Sequence, residues 1–461
     1  MSEPSHVKPR ATSVWGRASL RIAITLSGAL ALMASAAMAD TRSDQLEDLA
    51  VFRSQFLDID RAYSNTARAQ AVERLAALER AAGTTSPEAL TLELCAITAL
   101  ADNGHTSCTL PKADEAQIGF TPLDGRYFVT SAAPDHAELL GGELTAIDGR
   151  PVSALRAELR KLHGGVAAYR DLFVAKVLVR PDLLHSLGLA AASDAAVYRV
   201  RTPDGRTIEQ RLERTAASAS RTLVPAPDKA PWSLQEPDKL FRWRDAPEFD
   251  AVVVQLRHNA DTQDKRIDVF LFEAEAARLT LHRHNLILDM RQNPGGDFLL
   301  TRDLMIGWPK EVGPAGKIFV LIGPQTFSAG IVSTAYLKQA GGAQVVLVGA
   351  PPGDRLTFFA EGNTVVLPHS GLAVLPASER DDLADGCRQY QDCFGALAQP
   401  GAPTGSKGAK QAIIDWGFGR KPLALRSLDP DIPAPWTIED YLAGRDPAME
   451  ALKRWFSEHA R

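Results

Sequence analysis

The chain has 461 residues, of which 45% are hydrophobic and 23% are charged, and its formal net charge is -5. These values are typical of a globular protein that is long enough for two or three domains. The charge shows no basic excess, and no stretch rich in Lys and Arg alternates with aromatic residues, so nucleic acid is excluded as an expected partner.

Residues 1–39 have the pattern of a secretory signal peptide. Basic residues precede an apolar run from Ile22 to Ala34, and the small-residue sequence Ala37-Met38-Ala39 follows. This order predicts cleavage after Ala39 and export to the periplasm or the medium. An uncleaved membrane anchor is the alternative for this run. After cleavage no membrane contact is expected, because no other segment reaches the ~20 apolar residues that a membrane span needs.

The four cysteines of the chain lie in two close pairs. In an oxidising compartment, the simplest of the three possible connectivities joins Cys95 to Cys108 and Cys387 to Cys393. A metal site is the alternative. Neither pair has the C-x-x-C spacing and no histidine cluster joins them, so no metal is expected.

Helical patterns follow the predicted signal peptide. Apolar residues recur at three- and four-residue spacing from Ser43 to about Ala82, and Ser86-Pro87 opens a further helix. Residues 40–118 are therefore predicted to form a helical N-terminal region.

Residues 119–215 show a different pattern and are named the insert. Short strand patterns alternate with Asp-Gly turns, and a helix is predicted from Val152 to Leu162, which indicates a β-rich unit. The run from Gly141 to Val152 resembles PDZ-like modules. An unrelated small β-domain is the alternative.

Residues 216–248 are predicted to be a linker, because much of this segment is rich in Ala, Ser, Pro and Lys. Over residues 249–461, short apolar runs alternate with helical patterns, which predicts a sheet with helices on its faces. The expected strands are Ala251–Leu256, Leu286–Asp289, Ile318–Ile322 and Val345–Val348. The fold class predicted for the whole chain is therefore α/β multidomain.

A glycine turn and a serine follow two of these strands. The sequence Asn293-Pro294-Gly295-Gly296 cannot continue a strand, and Ser328 lies at the start of a helical pattern after Ile318–Ile322. A hydroxyl and exposed glycine N–H groups are the components of an acyl-transfer site, which needs a nucleophile and donors for the oxyanion. A serine before a helix is also a common N-cap, so Ser328 has a structural alternative.

Together these segments resemble the tail-specific, C-terminal-processing serine protease family, whose members have a crotonase-like ββα core. The resemblance rests on Leu288-Asp289-Met290-Arg291-Gln292-Asn293-Pro294-Gly295-Gly296 and on Thr326-Phe327-Ser328-Ala329. It implies a crotonase-like catalytic domain with Ser328 as the nucleophile. It also implies that the backbone N–H groups of Gly296 and Ala329 form the oxyanion hole, and PDZ-like inserts are a feature of this family.

One branch of the family uses a lysine base after the serine, but this chain has Pro351-Pro352-Gly353-Asp354-Arg355 in that place. The segment Asp102-Asn103-Gly104-His105-Thr106 resembles the Asp-x-His-Thr signature of the branch with a histidine base, with Asn103 standing where that signature has its acid. The resemblance implies His105 as the general base, a role that suits an imidazole because it titrates near neutral pH. A structural loop histidine is the alternative, and His258 is the rival base.

A carboxylate after the serine is implied as the group that orients the imidazole. Glu361 is the preferred candidate and Asp354 is the alternative. The chain is thus predicted to be an exported serine peptidase that acts on peptides or proteins without a cofactor. A non-catalytic ligand- or peptide-binding protein on the same fold and a hydrolase of non-peptide esters or amides are the alternatives.

Overall fold

The computed structural model describes residues 41–215, 224–225, 230–384 and 423–459. They form a mixed α/β protein of several units, which confirms the predicted fold class at that level. The predicted signal peptide and the pair Cys387 and Cys393 lie outside the described residues. In the described part of the chain, no helix combines the length and the apolar character that crossing a bilayer requires.

The N-terminal region is helical, as its periodicity predicts. Its helical segments are 41–51, Phe52–Leu57, Asn65–Ala81 and Pro87–Ala99. The predicted disulfide between Cys95 and Cys108 is present and joins the last of these helices to the short strand Ser107–Thr109. The bridge therefore closes the loop that contains His105.

The insert is built on an antiparallel sheet. In spatial order its strands are Ile118–Leu123, Arg126–Ala132, Glu143–Ile147, Ala195–Arg201 and Thr207–Glu213, with the short strands Arg150–Pro151 and Val224–Pro225 paired at the side. Its helices are Val152–Leu159, Ala167–Val177 and Pro181–Ser186, with single turns at Pro134–Leu139 and Arg160–Leu162. Leu75 and Leu94 of the N-terminal helices share one buried apolar cluster with Val129 and Tyr198 of the insert. The two regions therefore have a common core.

The second half of the chain is organised around a six-stranded sheet, the main sheet. In spatial order its strands are Ile432–Pro433, Val345–Gly349, Ile318–Ile322, Asn285–Asp289, Ala251–Leu256 and Phe241–Ala246. All neighbours run parallel except the last pair, which is antiparallel. The central strands are buried along their whole length, as parallel strands covered on both faces are expected to be.

Helices cover both faces of the main sheet. One face packs against Ile267–Thr280, Leu299–Val312 and Ala329–Gly341, and the other against Pro447–Glu458, which follows the short helix Ile438–Leu442. Along one strand, Val252 and Val254 point to the first face, whereas Ala251 and Val253 point to the second. The four strands predicted from apolar runs are confirmed, with differences of one residue at their ends.

The structure differs from the predicted linker over residues 216–248. Phe241–Ala246 is a strand that pairs with Ala251–Leu256 at the edge of the main sheet. This strand is not recognisable in the sequence because its buried position 242 is an arginine. Arg242 donates to Gln255, and its guanidinium lies 4.1 Å from the ring centroid of Trp232. A strand whose buried side is charged lacks the apolar alternation by which strands are recognised.

Two small sheets join distant parts of the chain. Ser107–Thr109 pairs with Ala373–Leu375, which also pairs with Val365–Val366. Thr357–Ala360 pairs with Glu379–Asp382. Because the first pairing begins just after His105, it brings the loop of this histidine to the segments that follow the central strands of the main sheet.

Replacement of both Cys95 and Cys108 with alanine is expected to lower the free energy of unfolding. The bridge spans a sequence separation of 13, and the restriction that it places on the unfolded chain contributes about 3 kcal/mol. Urea unfolding followed by circular dichroism measures the loss as a lower midpoint. Ser86→Ala removes only a helix cap and sets the scale of a local change, about 1 kcal/mol. An unchanged midpoint in the double variant would contradict the expectation.

Candidate active site

Ser328 occupies a strained position between a strand and a helix. The strand Ile318–Ile322 precedes it, and the helix Ala329–Gly341 begins directly after it. Its backbone has φ 51° and ψ -125°, a conformation that residues with a Cβ rarely adopt. Its hydroxyl makes no capping hydrogen bond, whereas Ser64 and Ser86 both cap their helices. The N-cap alternative therefore does not describe Ser328.

The glycine turn packs directly against this serine. Gly295 and Gly296 have φ angles of 124° and 120°, which glycine adopts without a steric cost. A Cβ on Gly295 would lie 2.6 Å from the Cβ of Ser328 and 3.1 Å from its Oγ. Only glycine permits this approach. The N–H of Gly295 itself is engaged, because it donates to Oδ1 of Asn293 at 2.9 Å.

The N–H of Gly296 points away from the strand Ala251–Leu256. Asn259 donates to the carbonyl of Gly295 and accepts from the N–H of Asp297, so it brackets Gly296 from the side of strand Ala251–Leu256. In a parallel pairing, the residue between two such bonds points its own N–H away from that neighbour. Ser328 follows the strand on the opposite side.

The N–H of Ala329 is the second donor at this edge. It belongs to the first turn of its helix and therefore has no acceptor within the helix. Its nitrogen lies 3.2 Å from the position that a Cβ on Gly295 would take, close to the position of Ser328 Oγ. The helix N-terminus also favours negative charge at this point. The structure thus places the N–H of Ala329 and the glycine turn that contains Gly296 beside the predicted nucleophile.

A buried polar network holds the turn in place. Nδ2 of Asn293 donates to Oδ1 of Asn259 at 2.8 Å, and Oδ1 of Asn293 accepts from Gly295. Nδ2 of Asn259 donates to the hydroxyls of Thr301 and Ser333 at 2.9 and 2.8 Å. The amide groups in this network all have partners, so their burial carries no penalty for unmade hydrogen bonds.

The loop that carries His105 is docked onto other parts of the chain. Nδ2 of Asn103 donates to the carbonyl of Phe359 at 2.9 Å, and its Oδ1 accepts from the N–H of Phe359 at 3.0 Å. The hydroxyl of Thr106 donates to Asp60 at 2.7 Å. Contacts on both sides of His105 therefore fix the position of its backbone.

The imidazole of His105 lies between two phenylalanine rings. Its centroid is 4.3 Å from that of Phe327, with an interplanar angle of 26°, and 5.0 Å from that of Phe358, with an angle of 11°. Phe327 is the residue before Ser328, so the stack brings the predicted base to the neighbourhood of the predicted nucleophile. No hydrogen bond joins His105 to Ser328 within the described residues. Such bonds are often long in enzymes without substrate and shorten on binding.

Asp354 is the carboxylate beside the imidazole. Its Oδ2 lies 3.6 Å from Nδ1 of His105, and its side chain has no exposed surface. Its Oδ1 accepts from the N–H of Arg355 at 2.8 Å. Oδ2 and both ring nitrogens of His105 are buried and have no hydrogen-bond partner. Of these atoms, Nδ1 of His105 and Oδ2 of Asp354 are separated by a distance only slightly longer than a hydrogen bond.

Glu361, the carboxylate preferred from the sequence, is placed differently. The residue is exposed, has φ 59° and makes no side-chain hydrogen bond to His105 within the described residues. Although the residue as a whole is exposed, its carboxylate is partly withdrawn from water, and this raises its pKa. The charge of the nearby His105 lowers the pKa, whereas the charges of Asp297 and Glu379 raise it. Of the two candidate acids, the structure therefore brings Asp354 and not Glu361 to Nδ1.

His258, the rival base, and Lys338, the nearest lysine after the serine in the sequence, have different surroundings. Nδ1 of the rival base His258 lies 2.8 Å from the position that a Cβ on Gly296 would take, so this ring packs on the glycine turn. Lys338 donates to the carbonyl of Val345 at 2.7 Å and to Asp431 at 2.9 Å, which engages it away from the serine.

Sequence reasoning missed the aromatic neighbours of His105 and the asparagine network. Phe327 and Phe358 have the appearance of ordinary apolar residues in the sequence. Tyr169, whose ring stacks on Phe327 with centroids 4.1 Å apart, lies in the insert, far from both motifs. Asn259 follows a buried strand next to His258, and a polar residue at the end of a central strand was the one signal that pointed to it.

Comparison with known proteins identifies this fold. Mature CPAF complexed with lactacystin matches with a TM-score of 0.56 and 15% identity, over 90% of this chain and 98% of that chain. A mutant of CPAF matches with a TM-score of 0.57 and 14% identity, over 90% and 96%. The photosystem II D1 C-terminal processing protease reaches only 0.38 at 12% identity, over 90% and 96%, and adds nothing to the assignment. No protein-family model and no curated protein matches the chain.

The fold and the site define an α/β multidomain protein with a strained serine at the edge of its main sheet. The likeness to CPAF extends over nine tenths of the chain at low identity and therefore concerns the fold. At that level it confirms the resemblance predicted from the two sequence motifs.

Replacement of Ser328 with glycine is expected to stabilise the protein relative to Ser328→Ala. Glycine relieves the strained φ of 51°, whereas alanine keeps the Cβ that causes the strain, and the difference is expected to be about 1 kcal/mol. Urea unfolding of the two variants measures it. Equal midpoints would show that the conformation of Ser328 stores no strain.

Proposed function

We propose that the protein is an exported serine peptidase that cleaves peptide bonds in peptides or proteins. One observation carries the proposal: Ser328 has a strained backbone and an uncapped hydroxyl, the glycine turn and the N–H of Ala329 lie beside it, and the ring of His105 stacks on the residue before it. A serine that only caps a helix needs neither a strained backbone nor an uncapped hydroxyl. The likeness in fold to CPAF supports the proposal.

In the proposed reaction, Oγ of Ser328 attacks the carbonyl carbon of the peptide bond while Nε2 of His105 takes the hydroxyl proton. Asp354 holds the imidazole in the tautomer with hydrogen on Nδ1 and stabilises the imidazolium. The N–H groups of Gly296 and Ala329 bind the oxyanion. The imidazolium then gives its proton to the leaving amine as the C–N bond breaks, and water releases the acyl group with the same base.

This reaction requires His105 to approach both of its partners. The distance from Nδ1 to Asp354 has to shorten from 3.6 Å, and Nε2 has to reach Ser328 Oγ. A displacement of the ring within its own plane preserves its contacts with the flanking phenylalanines, because their planes are tilted by only 26° and 11°. We therefore propose that the site closes by a movement of the imidazole within its own plane when substrate binds.

The proposal includes the predicted domains. Residues 1–39 are the signal peptide, residues 40–118 the helical region with the base, and residues 119–215 the PDZ-like domain. Residues 249–461 form the crotonase-like peptidase domain, to which we add the edge strand Phe241–Ala246. The bridge Cys95–Cys108 supports export, because such bonds persist in oxidising compartments.

A fluorophosphonate probe tests the nucleophile on the full chain. We expect the wild type to be labelled and Ser328→Ala to be unlabelled, while Ser86→Ala keeps full labelling because its hydroxyl caps a helix instead. Mass spectrometry of a peptide library then tests cleavage.

Three outcomes separate the alternatives. A folded wild type that is neither labelled nor active indicates a non-catalytic binding protein. Labelling at Ser328 with hydrolysis of esters but not of peptides indicates a hydrolase of other substrates. Labelling that survives in Ser328→Ala refutes the assignment of the nucleophile.

Replacement of the two carboxylates distinguishes the acid. Asp354→Asn is expected to lower kcat by about 10³- to 10⁴-fold, because it removes the charge that orients and stabilises the imidazole. Glu361→Gln, the matched change at an exposed position, is expected to lower kcat by less than about tenfold, the effect of about 1.4 kcal/mol. Steady-state kinetics with one peptide substrate measures both. The reverse order would return the role of the acid to Glu361.

A further inference from the structure

We propose that Tyr169, which belongs to the insert, is a positioning residue for His105. Its ring supports Phe327, and Phe327 supports the imidazole. This inference rests on the proposed function, since it assumes that His105 acts on Ser328. It makes the insert a part of the active site rather than a separate module.

Four rings form a continuous column. Phe358 stacks on His105, His105 stacks on Phe327, and Phe327 stacks on Tyr169 with centroids 4.1 Å apart and an angle of 5°. The last contact is the closest and the most nearly parallel of the three. Phe358 lies on the strand Thr357–Ala360, so the imidazole is held between a ring from the second half of the chain and a pair of rings that ends in the insert. Stacked pairs of this kind favour a defined relative orientation.

The ring of Tyr169 is itself held in a fixed seat. A Cβ on Gly353 would lie 3.0 Å from Cδ2 of Tyr169 and 3.3 Å from Cδ2 of Phe327, so this glycine fits closely against the edge of both rings. On another side, the ring of His163 meets Tyr169 edge-on at 5.6 Å. The column therefore ends on a ring with packed neighbours and not on a freely rotating side chain.

The ring of Tyr169, and not its hydroxyl, carries the proposed role. No hydrogen bond of this hydroxyl occurs within the described residues. Burial raises the pKa of Tyr169 to about 12, and the charge of Asp354 adds to this rise, so the phenol is uncharged near neutral pH. Phenylalanine is therefore expected to replace tyrosine, whereas an aliphatic residue of similar bulk is not.

The backbone of the insert also packs on the loop of His105. A Cβ on Gly164 would lie 2.8 Å from the backbone N and O of Asn103, and a Cβ on Gly165 would lie 2.9 Å from Cα of Gly104. Arg170 donates to the carbonyl of Gly165 at 2.7 Å. The segment that carries Tyr169 is thus part of the wall against which the base is held.

One more ionic contact spans the same junction. Asp102 accepts hydrogen bonds from Arg170 of the insert and from Arg355, and its distance to Arg355 is 2.9 Å. Arg355 also donates to the carbonyl of Asp102 at 2.7 Å. These side chains are partly exposed, and such pairs contribute little stability. The ring column and the glycine contacts therefore determine the position of His105, and the ion pairs contribute little to it.

The test compares Tyr169→Phe with Tyr169→Leu. Phenylalanine keeps the flat face, and we expect kcat within about twofold of the wild type. Leucine keeps apolar bulk but offers no flat face, and we expect kcat to fall about 10- to 100-fold with KM within threefold, because a misplaced catalytic group costs rate even where substrate still binds. Tyr441→Leu is the matched control, since Tyr441 is also half-buried and meets the ring of Trp436 far from His105.

A double-mutant cycle separates positioning from a general effect on structure. If Tyr169 acts through His105, then Tyr169→Leu causes no further loss of fluorophosphonate labelling rate in a His105→Ala background. A purely structural role gives the same fractional loss in both backgrounds and overturns the proposal, as does full activity of Tyr169→Leu in an active wild type. An inactive wild type refutes the proposed function instead, so the two failures are distinct.

Discussion

The side-chain amide of Asn103 exchanges two hydrogen bonds with the backbone of Phe359, and the placement of the proposed base depends on this exchange. The amide both donates and accepts, as a paired strand residue does. A carboxylate has no hydrogen to donate when it is ionised, so aspartate at this position would leave the carbonyl of Phe359 without its partner. The departure from the Asp-x-His-Thr signature thus has a physical reason, because position 103 serves to dock the loop and the charge beside the imidazole comes from Asp354.

The other half of the site depends on strain that its surroundings maintain. The backbone of Ser328 persists in an unfavourable conformation because a helix begins after it and the glycine turn fills the space beside it. The turn is fixed in its own right by Asn259 and Asn293, whose amides are fully paired within the core. Rigid support of this kind keeps the N–H donors in place before any substrate arrives, which is the condition under which such donors are most effective.

Much of the second half of the chain could be predicted from the sequence for a simple reason. Buried parallel strands are continuous apolar runs, and Ala251–Leu256 and Ile318–Ile322 have the predicted bounds. The edge strand Phe241–Ala246 was not predicted, because its buried position 242 is an arginine. Motif spacing located the serine and the glycine turn.

The relative position of distant segments could not be predicted from the sequence. Asp354 and Glu361 are both carboxylates after the serine, and only the fold determines which of them meets Nδ1 of His105. Tyr169 and Phe327 are separated in the chain by four strands of the main sheet, and no local pattern in either segment indicates that their rings are parallel. Contacts of this kind depend on how units pack, and one sequence carries little information about that.

The pairing of Ser107–Thr109 with Ala373–Leu375 has a consequence for how such a protein is made. The ribosome releases the histidine loop early, but the strand against which it settles is among the later segments to emerge. Until residue 377 has been synthesised, Asp60 also lacks the hydrogen bond that it accepts from the N–H of Ala377. A chain that ends before Ala373 therefore lacks the strand that pairs beside the loop of His105. The order of the sequence therefore delays the assembly of the proposed site until the chain is nearly complete.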